Sequence, residues 1–254
     1  MKPTDFAKCV SEYFSVYLPG QRGLSANTIR SYRDTFCLLL EFCRTEKSIK
    51  IEKLSLAQFN KELIEDYLSW LDKIRGCSAS TRNQRLSAIH AFCRYLMSES
   101  PEILLSCQQM LSIKLKKCPK PQICFLSADE VGAILSKPDC SEKYGRRDLT
   151  ILCLLYDTGA RVSELINIRV KDVRFDHFPV VKLTGKGQKT RSVPLMSKTA
   201  EHLKNYIIEN RLDSHEAADH YLFTNHQNRQ LTRAGITYIL QKYSSGSKIT
   251  PHIL

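Results

Sequence analysis

The residues of this chain best suited to chemistry are an arginine, a glutamate and a lysine. Together their side chains could bind a phosphate group and protonate a leaving oxygen. Arg161 follows a glycine-bearing turn, and Glu164 lies three residues later on the same face of a predicted helix. Arginine presents a planar charged fork that fits two phosphate oxygens, and a nearby carboxylate can hold that fork in position. Lys186 lies in a Gly-Lys-Gly sequence, where a mobile ammonium can protonate a leaving oxygen. Taken singly, each feature is more typical of a surface ion pair or a solvated turn.

The elements that must position these residues are predicted as two helices and a β-hairpin. An apolar run at residues 151–156 predicts a buried helix that ends at a turn containing Gly159, and a second helix opens at residue 160 or 161. Residues 180–183 and 192–195 flank the Gly-Lys-Gly sequence, which predicts two strands with a basic tip between them. The two cations are therefore expected on different elements of one small region.

Three segments, in this order along the chain, resemble the motifs of one family. Residues 158–165, TGARVSEL, resemble the first catalytic box of the tyrosine recombinases, the phage integrase family. Residues 185–195, GKGQKTRSVPL, resemble the family's β-hairpin lysine motif. Residues 250–254, TPHIL, resemble the start of its second box, His-x-Leu-Arg-His. The whole layout is similar to that of Xer-like site-specific recombinases.

The resemblance implies a reaction and a role for each matched residue. In this family a tyrosine attacks a DNA phosphate, forms a 3′-phosphotyrosyl link and releases a 5′-hydroxyl, with no water, metal or cofactor. The resemblance assigns Arg161 to the scissile phosphate and Lys186 to protonation of the leaving group. It assigns His252 to proton transfer or phosphate binding, and Glu164 to orienting Arg161. Double-stranded DNA is the implied partner, with self-association into a tetramer on that DNA.

The second box is interrupted at Leu254, which bears on the expected activity. In the family pattern the second arginine, the later histidine or tryptophan and the nucleophilic tyrosine all follow this leucine. The sequence contains 11 tyrosines, and none lies where the nucleophile is expected. We therefore expect a C-terminally truncated recombinase that binds DNA without cutting it. The alternative is a non-catalytic DNA-binding clamp or a dominant-negative remnant.

The expected fold is mainly α with a small β-hairpin or sheet. Helical periodicity over residues 1–110 predicts a bundle, which the resemblance identifies as a SAM-like core-binding domain. Residues 111–125 alternate lysines with prolines and predict a basic, extended linker. Residues 126–254 then form an incomplete α+β catalytic domain.

Charge indicates where DNA would be contacted. The net charge is +12, and basic residues occur throughout the chain, which favours a nucleic-acid partner. Two predicted helix starts, at residues 25–30 and 80–85, combine small polar residues with arginines, a composition that suits phosphate contact. Arg82, Arg85 and Arg94 are candidates for the outer face of the second of these helices. Ordinary capped surface helices are the alternative, and the resemblance favours DNA. The predicted DNA contacts are Asn27, Thr28, Arg30, Arg33, Thr81, Arg82, Arg85, Lys116, Lys117, Lys189 and Arg191.

The cysteines and the apolar runs indicate the cellular compartment. They argue against a disulfide-rich, zinc-binding, secreted or membrane protein. The 10 cysteines are scattered and include no C-x-x-C, so neither a disulfide framework nor a zinc site is expected. The N-terminus has no signal-peptide pattern, and no apolar run approaches the roughly twenty residues of a membrane helix. We expect a cytoplasmic protein with reduced thiols, no metal and no membrane partner.

Overall fold

The computed structural model describes residues 2–119 and 126–244, and the chain divides into two compact units, Met1–Pro121 and Gln122–Leu254. The predicted mainly α fold with a small β-sheet is confirmed. Within the predicted linker, residues 113–119 have no regular secondary structure, and residues 120–125 lie outside the described residues. The domain bounds at residues 110 and 126 stay predictions.

The N-terminal unit is a helical bundle whose helix starts are set by polar caps. Its helices are α1 (Asp5–Glu12), which continues in π-helical turns over Tyr13–Gln21, α2 (Ala26–Thr45), α3 (Lys61–Lys73), α4 (Ala79–Glu99) and α5 (Leu104–Leu111). The side chains of Ser25, Asn60 and Ser78 accept the backbone N–H three residues later, at 3.3, 3.0 and 3.2 Å. Each cap satisfies a donor that the helix itself cannot, and so fixes where α2, α3 and α4 begin.

Aromatic side chains form the centre of this bundle. The ring of Tyr13 is fully buried, with its centroid 5.0 Å from that of Phe92 and 6.5 Å from that of Phe36. Polar contacts add to this packing between α2 and α4, because Gln84 donates to the Ser31 hydroxyl at 2.8 Å. The starts of α2 and α4 therefore belong to one packed bundle.

The C-terminal unit packs helices against an antiparallel sheet in the order β1-β2-β3. Its elements are α6 (Ala128–Leu135), α7 (Lys143–Thr158), α8 (Val162–Leu165), β1 (Val173–Arg174), β2 (Val180–Thr184), β3 (Thr190–Pro194), α9 (Ser197–Glu209) and α10 (Arg233–Tyr243). Val181 and Leu183 are fully buried, whereas Lys182 and Thr184 between and beyond them are exposed. One face of the sheet thus covers the core of this unit, and the other faces solvent.

The described residues also bear on membranes, thiols and metals. Helices within residues 2–119 and 126–244 are all too short or too polar to cross a bilayer. The cysteines of these two ranges are free thiols. Groups of His, Cys, Asp and Glu that could hold a metal ion are absent from the same ranges.

Candidate functional site

The site begins at the turn between α7 and α8. Gly159 ends α7 in the left-handed conformation, with φ 56°, which a side chain would disfavour. The hydroxyl of Thr158 donates to the carbonyl of Leu154 at 2.6 Å and accepts the N–H of Ala160 at 3.2 Å. These contacts bring the chain to Arg161, which has extended backbone angles and is the N-cap of α8. The glycine-bearing turn predicted here is therefore the element that places Arg161 at a helix start.

A buried carboxylate, that of Glu164, lies at the centre of the site. Its side chain is 1% exposed. Oε2 accepts the backbone N–H of Arg161 at 3.0 Å, and Oε1 accepts Nη1 of the same arginine at 2.9 Å. The guanidinium of Arg191 donates to both oxygens, to Oε1 at 3.1 Å and to Oε2 at 2.9 Å. Each carboxylate oxygen thus accepts a hydrogen bond from each arginine.

The two arginines differ in how much of each remains accessible. The side chain of Arg161 is 65% exposed, although Glu164 holds one of its nitrogens. The side chain of Arg191 is 41% exposed, with both terminal nitrogens engaged by the carboxylate. Arg161 can therefore offer donors to an anion while its position is fixed from behind.

Hydrogen bonds to the charged form keep Glu164 ionised. The bonds from Arg191, together with those from the backbone and side chain of Arg161, lower the pKa of Glu164 to about 2, although burial acts in the opposite direction. The carboxylate therefore remains a negative counter-charge for both arginines at neutral pH.

The hairpin that joins β2 to β3 carries Lys186 at its tip. The N–H of Gly185 donates to the carbonyl of Lys189 at 2.8 Å, which closes the loop. Gly187 and Gln188 both have positive φ, 73° and 58°, so the tip is a tight turn. Lys186 is exposed and has no ion pair among the residues that the structure describes. Its ammonium is thus available to an incoming group.

Gly185 has a steric role toward the carboxylate. A Cβ at this position would lie 2.7 Å from Oε1 of Glu164, a distance that no side chain could accept without displacement. Glycine therefore lets the carboxylate approach the hairpin backbone directly before Lys186.

The contact of Arg191 with Glu164 is not predicted from the sequence, where the charge of Arg191 indicates a DNA contact. Arg191 pairs with Leu183 across the β2–β3 ladder, and Leu183 is fully buried. Val193, two residues further along β3, packs against the core. Residues two apart on a strand share a face, so strand alternation was the available signal that Arg191 points toward the core side.

Two of the predicted DNA contacts on α4 are held within the bundle. Arg82, predicted on the outer face of α4, is 8% exposed, and its Nε lies 3.4 Å from the carboxylate of Asp72. Arg85 is half-buried and donates to the carbonyl of Ser31 at 3.1 Å and to the hydroxyl of Thr35 at 3.2 Å. The outer-face prediction for Arg82 is wrong, because its guanidinium is paired with a carboxylate on α3.

The remaining candidates vary in their exposure. Lys116 is exposed but has its ammonium 2.6 Å from Asp72. Thr28 and Thr81 are half-buried and take part in the caps of α2 and α4. The candidates that are exposed and have no ion pair among the described residues are Asn27, Arg30, Arg33, Lys117 and Lys189. His252 lies outside the described residues.

The sequence is similar to two family models and to known proteins. Residues 124–254 match the Phage integrase family, and residues 11–100 match the Phage integrase, N-terminal SAM-like domain. The protein y4rC of Sinorhizobium fredii is 32% identical over 263 residues, which cover 100% of this chain and 78% of that protein. Tyrosine recombinase XerC of Staphylococcus epidermidis is 30% identical over 250 residues, 96% of this chain and 80% of that protein.

Solved structures share the fold. The XerH site-specific recombinase bound to difH substrate, a pre-cleavage complex, matches 91% of this chain and 67% of that chain with a TM-score of 0.67 and 22% identity. A lambda integrase dimer bound to a COC′ core site matches 96% of this chain and 81% of that chain with a TM-score of 0.65 and 15% identity.

Proposed function

The chain belongs to the phage integrase family of tyrosine recombinases, and we propose that, in a polypeptide that also carries the nucleophilic tyrosine, it acts on double-stranded DNA by site-specific strand cleavage and rejoining. The observation that carries the proposal is the accessible guanidinium of Arg161, fixed from behind by the buried carboxylate of Glu164. A cation held in this way can bind a phosphate without first paying the entropy of being ordered. The hairpin next to Glu164 supplies the exposed Lys186.

The proposed chemistry is a transfer of phosphorus between two oxygens. In tyrosine recombinases, the hydroxyl of a tyrosine loses its proton to a base and its oxygen bonds to the phosphorus, while the bond from the phosphorus to the 5′-oxygen of the DNA breaks. Arg161 binds the non-bridging oxygens and stabilises the charge that builds up on them in the transition state. Lys186 gives a proton to the departing 5′-oxygen, which leaves as a hydroxyl. Attack by that hydroxyl on the phosphotyrosine reverses the steps and rejoins the strand.

Two further residues complete the proposed assignment. Glu164 orients Arg161 through the hydrogen bonds that its two oxygens accept. His252 would transfer a proton or bind the phosphate, as the second-box resemblance implies.

A covalent adduct tests this function. A polypeptide that carries this chain together with the family's nucleophilic tyrosine should become linked to a nicked duplex containing its site, because the nick lets the 5′-hydroxyl fragment diffuse away. The link should survive denaturation and be removed by protease. A polypeptide that binds this duplex but never forms the link would contradict the proposal.

The proposed DNA-binding surface of the N-terminal unit lies at the start of α2. Asn27, Arg30 and Arg33 are exposed there, within the first turns after the Ser25 cap. Backbone donors of a helix N-terminus and arginines close to it can bind phosphates together. The buried Arg82 and the half-buried Arg85 have protein partners, so their proposed part is to support this surface rather than to contact phosphates.

DNA binding by the 254-residue polypeptide should depend on charge at this helix start. Arg30→Ala or Arg33→Ala should weaken binding roughly fivefold, since a charge-assisted contact contributes about 1 kcal/mol or more. Each change should also lower the slope of log affinity against log salt by about one. The matched control is Arg44→Ala, which removes an exposed arginine from the last turn of the same helix. Equal losses for Arg30→Ala and Arg44→Ala, or binding that ignores salt, would contradict the assignment.

The proposed partners include other copies of the chain. Site-specific exchange joins two DNA sites, so we propose that recombination takes place in a tetramer assembled on DNA, in the cytoplasm. A lambda integrase with the same fold is a dimer on its core site, which supports assembly on DNA.

A further inference from the structure

We propose that Arg191 is a positioning residue that ties the hairpin bearing Lys186 to the helix start bearing Arg161. The proposal rests on the proposed function. It names the contact that keeps Arg161 and Lys186 in fixed positions relative to each other. The connecting group is the carboxylate of Glu164, which both arginines share.

The first support is the geometry of the Arg191 contact. Arg191 donates to Oε1 and Oε2 of Glu164 at 3.1 and 2.9 Å, so the two planar groups meet fork to fork. A bidentate contact fixes direction as well as distance, which a single contact does not. Because Arg191 belongs to β3 and Glu164 belongs to α8, this contact fixes the strand against the helix.

The second support is that the carboxylate meets both sides of the hairpin. Arg191 follows Lys189 by two residues on the outgoing strand. On the incoming side, Gly185 leaves just enough room for Oε1 of Glu164, since a Cβ would lie 2.7 Å from it. Glu164 therefore lies against the hairpin at Gly185 and binds it at Arg191, with Lys186 between these two points in sequence.

The third support is that few contacts hold the hairpin tip within the part of the chain that the structure describes. Gly185 N–H and Lys189 C=O close the loop, and positive φ angles at Gly187 and Gln188 shape it. Within the described residues, Lys186 itself makes no ion pair. The position of its ammonium is therefore set by how the base of the hairpin is anchored.

The arrangement separates two effects of losing Arg191. Without Arg191, Glu164 still accepts the N–H and Nη1 of Arg161, so the phosphate-binding cation keeps its support. The hairpin loses its bidentate anchor, so Lys186 should lose its position. The defect should then fall on protonation of the leaving oxygen and not on binding of the phosphate.

The test uses DNA whose scissile 5′-oxygen is either present or replaced by sulfur. A thiolate leaves without a proton, because thiols are far more acidic than alcohols. In a polypeptide that carries this chain and the nucleophilic tyrosine, Arg191→Ala should slow cleavage of the oxygen substrate at least tenfold, and the sulfur substrate should restore most of the rate. Arg191→Lys should recover little, because an ammonium cannot make the bidentate contact. Arg174→Ala, which removes an exposed arginine from β1, is the control and should cleave both substrates at nearly the wild-type rate.

A direct contact of Arg191 with DNA is the competing explanation, and it gives a different result. DNA affinity and its salt slope would then fall for Arg191→Ala, and sulfur would restore nothing; this outcome would overturn the proposal. Failure of the proposed function is recognised separately, because the wild-type polypeptide would then cleave neither substrate.

Hydrogen exchange in the 254-residue polypeptide provides a measurement that requires no activity. Arg191→Ala should raise the exchange rate of the Gly185 amide at least several-fold, since its bond to Lys189 would open more often. Amides in α7 and α9 should exchange as in the wild type, which also shows that the variant folds. An unchanged Gly185 amide in a folded variant would overturn the proposal.

Discussion

In a polypeptide that includes the nucleophilic tyrosine, Arg161→Ala should lower the rate of DNA cleavage by roughly two to three orders of magnitude. The guanidinium is exposed and fixed by Glu164, so it is placed to act as negative charge builds up on the phosphate. An interaction that strengthens in the transition state affects the rate far more than ground-state affinity, and most DNA binding should therefore remain. Arg161→Lys should recover little of the rate, since an ammonium cannot bind two oxygens as a fork does. Single-turnover cleavage and binding of the same duplex provide the two measurements.

The matched control is Arg229→Ala, which removes an exposed arginine from the same unit, in the loop before α10. It lowers the net charge equally and should leave the cleavage rate within about twofold, because surface substitutions away from special contacts have small effects. Comparable rate losses in both variants would mean that Arg161 acts through overall charge, and its proposed role would be wrong.

Glu164→Gln should lower the free energy of unfolding by roughly 2 kcal/mol at pH 7, because it removes the charged acceptor of two partly exposed guanidinium groups. An amide also turns one acceptor oxygen into a donor that faces those groups. Urea denaturation of the 254-residue polypeptide measures the difference. Glu209→Gln is the control, since Glu209 also pairs with an arginine, Arg146, but at the surface. That change should cost less than about 1 kcal/mol.

The effect of Glu164→Gln should depend on pH with a definite sign. Folding lowers the pKa of Glu164 from an ordinary 4.5 to about 2. The stabilisation is therefore fully present above about pH 4.5 and is lost as the pH falls toward 2. The difference between wild type and variant should shrink over that window, while it stays constant between pH 5 and pH 8. A difference that is the same at pH 3 and pH 7 would contradict an ionised carboxylate at the centre of the site.

Local patterns predicted the parts of the site that are close in sequence. Arg161 and Glu164 are three residues apart, and the structure confirms that they meet, as the N-cap and the third residue of α8. The hairpin follows from its flanking residues and its glycines, and β2 and β3 lie within a few residues of the predicted strands.

Partners that are distant in sequence were not predicted. Arg191 meets Glu164 across 27 positions of the chain, and no periodicity specifies which carboxylate an inward-facing arginine will reach. Strand alternation could have shown that Arg191 faces the core side, but its charge favoured the interpretation as a DNA contact.

Arg82 shows the same conflict on a helix. Residues 82, 86, 89 and 93 follow helical spacing, and Leu86, Ile89 and Cys93 are fully buried. The spacing therefore places Arg82 on the core-facing side, where its long aliphatic stem can pack. Its partner Asp72 lies on α3, so the ion pair that makes this burial tolerable could not be seen in the pattern of α4 alone.

The most direct test of the roles of Arg161 and Lys186 compares the cleavage rates of Arg161→Ala and Lys186→Ala on DNA with oxygen or sulfur at the scissile 5′-position. Both variants should cleave the oxygen substrate slowly, in a polypeptide that includes the nucleophilic tyrosine. The sulfur substrate should restore most of the rate of Lys186→Ala, because its leaving group needs no proton, and almost none of the rate of Arg161→Ala. If sulfur restored both variants, or neither of them, the division of roles between Arg161 and Lys186 would be contradicted.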